Sequence, residues 1–311
     1  MQVALATRAP AKVNLVLKVG PLRPDGFHDI ASLMVPLDLT DRVSVTVRAD
    51  SRVTCRCPGR PDLDGPENLA ARAARAFQEH AGVRAGCDVV VEKKIPVVAG
   101  LGGGSSDAAA VLRCLARAHG VRDPALLSAA ALEVGSDVPF FLGGGAAWVR
   151  GRGEALSPAR VPALDLVLLF PRDPAFAIRA GDAYRWLDLA RAGSPAEATP
   201  LDVNTRFAVS RIENDLEAPC LERHPTLRDA RWRLEEQGAR RSIMSGSGPT
   251  VFGVFTSRDR ARRAARSLRR DLGGGWEVHL VRSLSRHPGV TPWRSPRSAS
   301  SRFTRRSSRP T

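Results

Sequence analysis

Aromatic residues are scarce. Phe, Trp and Tyr supply 5% of the 311 residues, with a single tyrosine, while Ala, Arg, Gly and Pro abound. That bias carries no function by itself. Long apolar runs are missing as well. None approaches the roughly 20 residues that span a bilayer, and the stretch 164–170 still contains Asp165. The N-terminal stretch is interrupted by Lys12 and Lys18 and lacks the charged-then-apolar order of a signal peptide. A cytoplasmic protein with no membrane partner is expected. Cysteine is sparse too. Cys55, Cys57, Cys87, Cys114 and Cys220 are odd in number and contain no C-x-x-C. That excludes a disulfide framework and a zinc ribbon, and predicts reduced, mostly buried thiols. Acidic residues are outnumbered, 32 against 47 Lys and Arg, for a net charge of +15.

The excess charge is uneven. Residues 285–311 hold seven arginines and no acid, and setting them aside leaves +8 on residues 1–284. A moderately basic body suits anionic substrates such as nucleotides. The composition, 43% hydrophobic and 25% charged, is that of a globular chain and excludes disorder throughout. The length suggests about two domains.

Along the chain, Val13, Leu15 and Leu17 alternate with Lys12, Asn14 and Val16 over a predicted strand in 1–20. Pro24-Asp25-Gly26 signals a turn. Val43, Val45 and Val47 mark a second strand, and 58–66 reads as a loop. Asn68 is placed to cap a helix over 69–80. Cys87, Val89 and Val91 mark a strand, followed by a glycine run and then a helix with Ala108, Val111, Leu112 and Leu115 on one face. Further on come a short strand at 146–149, a linker over 151–162, a buried strand over 164–170 and a loop over 193–204. Helices over 214–221 and 226–237, a strand over 250–255, a basic helix over 258–272 and a last strand over 276–281 complete the reading. Strands in both halves with helices between them argue an α+β protein of two lobes.

The order strand, glycines, helix has a chemical meaning. Glycine admits positive φ and close approach of a ligand. A helix N-terminus adds free N–H groups and partial positive charge. Ser105 and Ser106 can cap the helix and offer hydroxyls to a phosphate or Mg²⁺. The run is an anion cradle, but neither common glycine loop fits. No lysine follows the glycines as in G-x-x-x-x-G-K-[ST], and the last Gly of G-x-G-x-x-G is missing.

The string Pro96-Val97-Val98-Ala99-Gly100-Leu101-Gly102-Gly103-Gly104-Ser105-Ser106-Asp107-Ala108-Ala109 resembles the phosphate loop of the GHMP small-molecule kinases, the family of galacto-, homoserine, mevalonate and phosphomevalonate kinases. Three more stretches, Ala9-Pro10-Ala11-Lys12-Val13-Asn14-Leu15, Arg23-Pro24-Asp25-Gly26-Phe27-His28 and Gly135-Ser136-Asp137-Val138-Pro139-Phe140-Phe141, look most like members whose acceptor carries a cytidine diphosphate. Ser245-Gly246-Ser247-Gly248-Pro249 resembles the C-terminal glycine loop of the family, and the matches run in order from residue 9 to about 255.

The resemblance implies a two-lobed kinase using ATP and Mg²⁺. Residues 1–155 would bind ATP, 163–284 would form the second domain, and 285–311 would be a basic, disordered tail beyond the usual family end. Lys12 would hold the acceptor hydroxyl and the incoming phosphate, and Asp137 would be the general base. Asn14, Phe27, His28 and Tyr184 would bind the acceptor, with the Phe27 ring stacking on cytosine and His28 reading its edge. Asn68 and Lys93 would lie beside the adenosine, and Pro96 to Ser106 around the phosphates. The metal would ride mostly on phosphates and water, with Ser106 as the best protein candidate. Two departures stand out: Phe27 where relatives mostly carry Tyr, and Ile178-Arg179-Ala180 where they often carry a Ser-Thr pair. The alternatives are a family kinase of homoserine or mevalonate type and, more remotely, nucleic-acid binding through the tail, which carries Trp293 and Phe303.

Overall fold

A computed structural model describes residues 3–192 and 207–292. Two sheets organise the chain. The larger is built around β1 (Ala4–Leu22) and β2 (His28–Val47), which pair antiparallel along nearly their whole length. β3 (Val53–Arg56) follows, and α1 (Leu69–Ala81) leads to β4 (Cys87–Glu92), which pairs with β2 on one side and β3 on the other. The glycine run then opens α2 (Gly103–His119). α1 and α2 cover the sheet, burying Phe77, Leu112 and Leu115 against Val43, Val45, Val89 and Val91. α3 (Pro124–Val134) and the short α4 (Val138–Leu142) close this layer.

β5 (Ala147–Gly151) adds to β2, and β6 (Ala155–Pro158) folds back on β5. The segment expected as a linker is thus largely a hairpin. Its glycines sit at φ +68 (Gly151) and +123 (Gly153), so a stretch that reads as a spacer is a tight turn.

The smaller sheet is antiparallel, with its strands side by side in the order Trp276–Arg282, Asp165–Pro171, Val251–Phe255 and Arg241–Met244. β7 (Asp165–Pro171) is its central apolar strand. α5 (Ala180–Ala190), β8 (Glu213–Asn214), α6 (Glu217–Arg223), α7 (Pro225–Glu236), β9 (Arg241–Met244), β10 (Val251–Phe255), α8 (Arg258–Asp271) and β11 (Trp276–Arg282) follow. α7 and α8 bury Leu227, Leu234, Ala264 and Leu268 on one face of this sheet. Its other face, with Leu166, Leu168, Phe252 and Val254, packs against Val13, Leu15, Leu33 and Val35 of the larger sheet. β1 is therefore covered on both sides. That explains why Lys12 and Asn14, which alternate with core residues, are buried rather than solvated.

The helix expected over 214–221 begins later, at Glu217, because the Asn214 side chain accepts the Leu216 N–H and ends β8 in a turn. α3 and α5 have no counterpart among the expected elements. The loop expected over 193–204 and residues 293–311 of the tail lie outside the described residues. Residues 285–292 correct the tail reading: they lie against the larger sheet, and β12 (Thr291–Pro292) pairs with Leu5 and Ala6 of β1. All five cysteines are unpaired and buried. Among the described residues no helix is long and apolar enough to cross a membrane.

Candidate active site

The phosphate loop is held from below by a buried ion cluster. Lys93, just after β4, places Nζ 2.5 Å from Asp41 Oδ2 and 2.7 Å from Asp107 Oδ2. The other Asp41 oxygen accepts the N–H groups of Lys94 and Ile95, at 2.5 and 2.8 Å. Two carboxylates thus share one ammonium where desolvation is costly and pairing essential. Burial pushes the Asp107 carboxyl up, against the pull of Lys93, and the Asp41 charge adds to the rise.

Above this cluster the loop turns at Val98, Gly100 and Gly102, all at positive φ. A Cβ on Gly100 would meet the Ser245 carbonyl at 2.2 Å, and one on Gly102 would stand 3.0 Å from Lys12 Cγ and from Phe141 Cζ. Gly102 also caps α2, with no side chain doing so. The serines therefore do not cap. Ser106 donates its backbone N–H to Gly102 at 2.9 Å, which leaves the N–H groups of Gly103, Gly104 and Ser105 free at the positive end of α2.

Beside this N-terminus stands a polar chain rooted in β1. Lys12 Nζ donates to Asn14 Oδ1 at 2.7 Å, Asn14 Nδ2 to Ser32 Oγ at 2.8 Å, and Ser32 Oγ to the Val16 carbonyl at 2.7 Å. Each group is satisfied in order, so the ammonium is held in one place. Asp137, at the start of α4, faces it: Oδ2 lies 3.4 Å from Nζ. Its side chain makes no capping bond and is 30% exposed. Gly246 closes the far side. A Cβ there would lie 3.1 Å from Asn14 Oδ1 and 3.2 Å from Lys12 Nζ. Asn214 fixes this turn by donating to the Met244 and Gly246 carbonyls at 2.9 and 2.8 Å.

At the other end of the same cavity, Phe27 is half-exposed. The Arg152 guanidinium lies 3.7 Å from its ring centroid, a cation–π contact. His28 Nε2 is 2.9 Å from Asp188 Oδ1, and the His28 ring stacks on Tyr184 with centroids 5.2 Å apart. Burial raises the Tyr184 hydroxyl above its ordinary range. In this structure His28 therefore spends one nitrogen on Asp188, and Tyr184 covers His28 rather than facing Phe27.

These groups line two adjoining cavities. One, about 550 Å³, is bordered by Lys12, Asn14, Phe27, His28, Asp137 and Tyr184. The second, about 520 Å³, is bordered by Asn68, Lys93, Pro96 to Ala99, and Gly103 and Gly104. They share Gly100, Gly102, Ser105, Ala180 and Ser247. Leu101 and Ser106, both expected at the phosphates, border neither. Leu101 is buried and accepts the Lys12 N–H at 2.9 Å, while Ser106 Oγ is buried without a partner. Asn68 does cap α1, accepting from Ala70 N–H at 2.9 Å, and also borders the second cavity.

Sequence reasoning missed Arg152, Ser32 and Ser247, and gave Asn214 no role. The Gly-Arg-Gly tripeptide was the only local signal for Arg152. Ser32 and Asn214 act through contacts that no spacing announces. Among the described residues no group of three or more His, Cys, Asp or Glu is arranged to hold a metal.

Comparison with known proteins follows the same lines. The GHMP kinases N terminal domain profile matches residues 68–145, and the GHMP kinases C terminal profile matches 203–273. A 4-diphosphocytidyl-2-C-methyl-D-erythritol kinase of Anaeromyxobacter dehalogenans is 63% identical over 99% of both chains. One from Geobacter metallireducens is 40% identical, covering 90% of this chain and 99% of that one. A crystal structure of 4-(cytidine 5'-diphospho)-2C-methyl-D-erythritol kinase superposes with TM-score 0.70 at 36% identity, over 90% of this chain and 99% of that one. Homoserine kinase from Cytophaga hutchinsonii, 19% identical with TM-score 0.68 over 94% and 98% of the two chains, shares the fold. With its loop, its Lys12–Asp137 pair and these relatives, the chain belongs to the 4-diphosphocytidyl-2-C-methyl-D-erythritol kinases within the GHMP kinase family.

Proposed function

We propose that the chain transfers the γ-phosphoryl group of ATP to the 2-hydroxyl of 4-diphosphocytidyl-2-C-methyl-D-erythritol, giving the 2-phosphate and ADP in the non-mevalonate route to isoprenoid precursors. One observation carries the reading: two cavities meet at the α2 N-terminus, with a buried ammonium and an accessible carboxylate at the junction. Phosphoryl transfer asks the protein mainly for positioning and charge neutralisation, and this junction supplies both.

ATP occupies the cavity bordered by Lys93 and the loop, with its phosphates on the free N–H groups of Gly103, Gly104 and Ser105. The acceptor occupies the other. Its 2-hydroxyl sits between Lys12 and Asp137, and its oxygen forms the new bond to phosphorus as the bond to the ADP oxygen breaks. The hydroxyl proton passes to Asp137, while Lys12 neutralises charge on the phosphoryl oxygens. Asn14 holds Lys12 in line.

The described residues hold no metal-ligand cluster, so they fit a cation carried by the nucleotide phosphates with one or two protein groups at most. Ser105 borders both cavities and would hold Mg²⁺ there; the ion, when bound, would neutralise charge on the nucleotide phosphates. Phe27 stacks on the cytosine, His28 and Tyr184 frame it, and Arg152 faces the diphosphate. For a small acceptor such as homoserine or mevalonate, this aromatic end would have no use. The enzyme works in the cytoplasm with its charged nucleotide substrates.

The test is ADP release from Mg²⁺-ATP with four acceptors: the cytidylated compound, its non-cytidylated 4-phosphate precursor, homoserine and mevalonate. Turnover of the first alone is expected. Turnover of homoserine or mevalonate would refute the substrate.

A further inference from the structure

The described C-terminal segment, residues 283–292, folds back across α2 and α4 onto β1. After β11, Ser283 bridges to Leu37, and Leu284 donates its N–H to the Pro36 carbonyl at 2.8 Å. The chain then crosses α2 and α4 before β12 joins β1. It is anchored along the way: Thr7 Oγ1 donates to the Gly289 carbonyl at 2.9 Å, Arg117 of α2 to the Val290 carbonyl at 2.9 Å, and Arg113 of α2 to the Pro288 carbonyl. A Cβ on Gly145 would stand only 2.5 Å from the Ser285 carbonyl, so the crossing is close-packed.

His287 is the inward-facing residue of this crossing. Its ring lies against both rings of α4, with centroids 5.6 Å from Phe140 and 5.8 Å from Phe141. Its ring nitrogens are buried and make no well-formed hydrogen bond. It therefore serves here as an aromatic wedge rather than a polar group. What it wedges matters. α4 has five residues and follows Asp137 directly, with no side-chain cap. So short a helix is not held by its own hydrogen bonds, and packing must set its orientation. Phe141 reaches the other way: its Cζ is 3.0 Å from where a Gly102 Cβ would stand, beside Lys12. One unbroken line of contact runs from His287 through Phe141 to the Gly102 turn, and α4 carries Asp137 at its start.

We propose that His287 is a positioning residue for phosphoryl transfer, fixing Asp137 and the Gly102 turn through Phe140 and Phe141. The inference rests on the phosphotransferase reading of the site. Misplacement of reacting groups by about an ångström is expensive in rate, while substrate binding at the cavity walls is left alone. The test uses the full chain, assayed well below the melting temperature of each variant. His287→Ala is expected to lower kcat about tenfold, with KM for ATP and for the acceptor within about twofold. His287→Phe restores the ring without the nitrogens and is expected to keep kcat within about twofold of the unsubstituted chain. A His287→Ala variant that melts earlier but keeps its kcat overturns the proposal. So does a His287→Phe variant as slow as His287→Ala. If His287→Ala does not fold, His287→Leu decides: a drop of about threefold in kcat with both KM values kept supports the proposal, and an unchanged kcat overturns it. No acceptor-dependent ADP release from the unsubstituted chain would instead remove the phosphotransferase reading, which separates the two failures.

Discussion

Lys12 Nζ and Asp137 Oδ2 lie 3.4 Å apart, yet their surroundings differ: the ammonium is buried and the carboxylate opens to the cavity. The ammonium is further held by Asn14. The pair thus presents a fixed charge and an accessible base to one point. Asp137→Asn keeps the shape and removes the base. Turnover is expected to fall by about a thousandfold or more, with ATP affinity within about twofold, because no atom of Asp137 borders the nucleotide cavity. Steady-state ADP release and ATP titration check it; near-normal turnover would refute the base.

The Gly102 turn is the point where the junction meets both Lys12 and Phe141. At φ +67 any side chain is strained by about 1–2 kcal/mol, and a Cβ also presses on Lys12 and Phe141. Gly102→Ala is expected to lower kcat by about tenfold or more and to reduce the melting temperature by a few degrees. Gly144, with nothing within 4 Å of its Cβ position, is the control: Gly144→Ala should be silent in both assays.

How much of this was legible in the chain depended on distance along it. The strand–glycine–helix order around α2 could be read from local periodicity and glycine chemistry. Lys12, Asn14 and Asp137 could be singled out only by resemblance, since a Lys–Asn pair alternating on a strand ordinarily faces water. Burial of β1 on both faces reverses that expectation, and it comes from β7 and β10, more than 140 residues away. The Asp41–Lys93–Asp107 cluster joins β2, the exit of β4 and α2, so no window of sequence contains it. The β5–β6 hairpin reads as a linker in the sequence because glycine marks spacers and tight turns alike. Ser106 stands in the motif, but its hydroxyl is buried and borders neither cavity.

Arg152 sits at the tip of that hairpin, and Gly153 packs so closely on Ser136 that a Cβ would stand 2.1 Å from its carbonyl. The hairpin tip and the Asp137 loop are therefore one unit. Arg152 lies over Phe27 and borders the acceptor cavity, with Asp25 at 3.7 Å. Arg152→Leu removes the cation and the ring contact together. KM for the cytidylated acceptor is expected to rise about tenfold, with KM for ATP unchanged, since a charge-assisted contact is worth about 1.5–3 kcal/mol. An unchanged acceptor KM would release Arg152 from substrate recognition.

His287 also makes a prediction about stability that needs no substrate. Burial, with the positive charge of Arg113 beside it, pushes its imidazole down to about 4 from 6.5, against a small opposing pull from the Phe141 backbone. A depressed histidine binds its proton more readily in the unfolded chain. Its contribution to folding is therefore intact above the unfolded value and is lost as the pH falls from about 6.5 toward 4. At pH 5 the loss from this one group is about 2 kcal/mol. His287→Phe cannot take up a proton there. The melting temperature of the unsubstituted chain should fall by several degrees more than that of His287→Phe between pH 7.5 and 5. Thermal unfolding of both proteins across that range reads the difference directly. Parallel curves would mean that the ring meets its proton equally in both states and is not buried between Phe140 and Phe141 in solution.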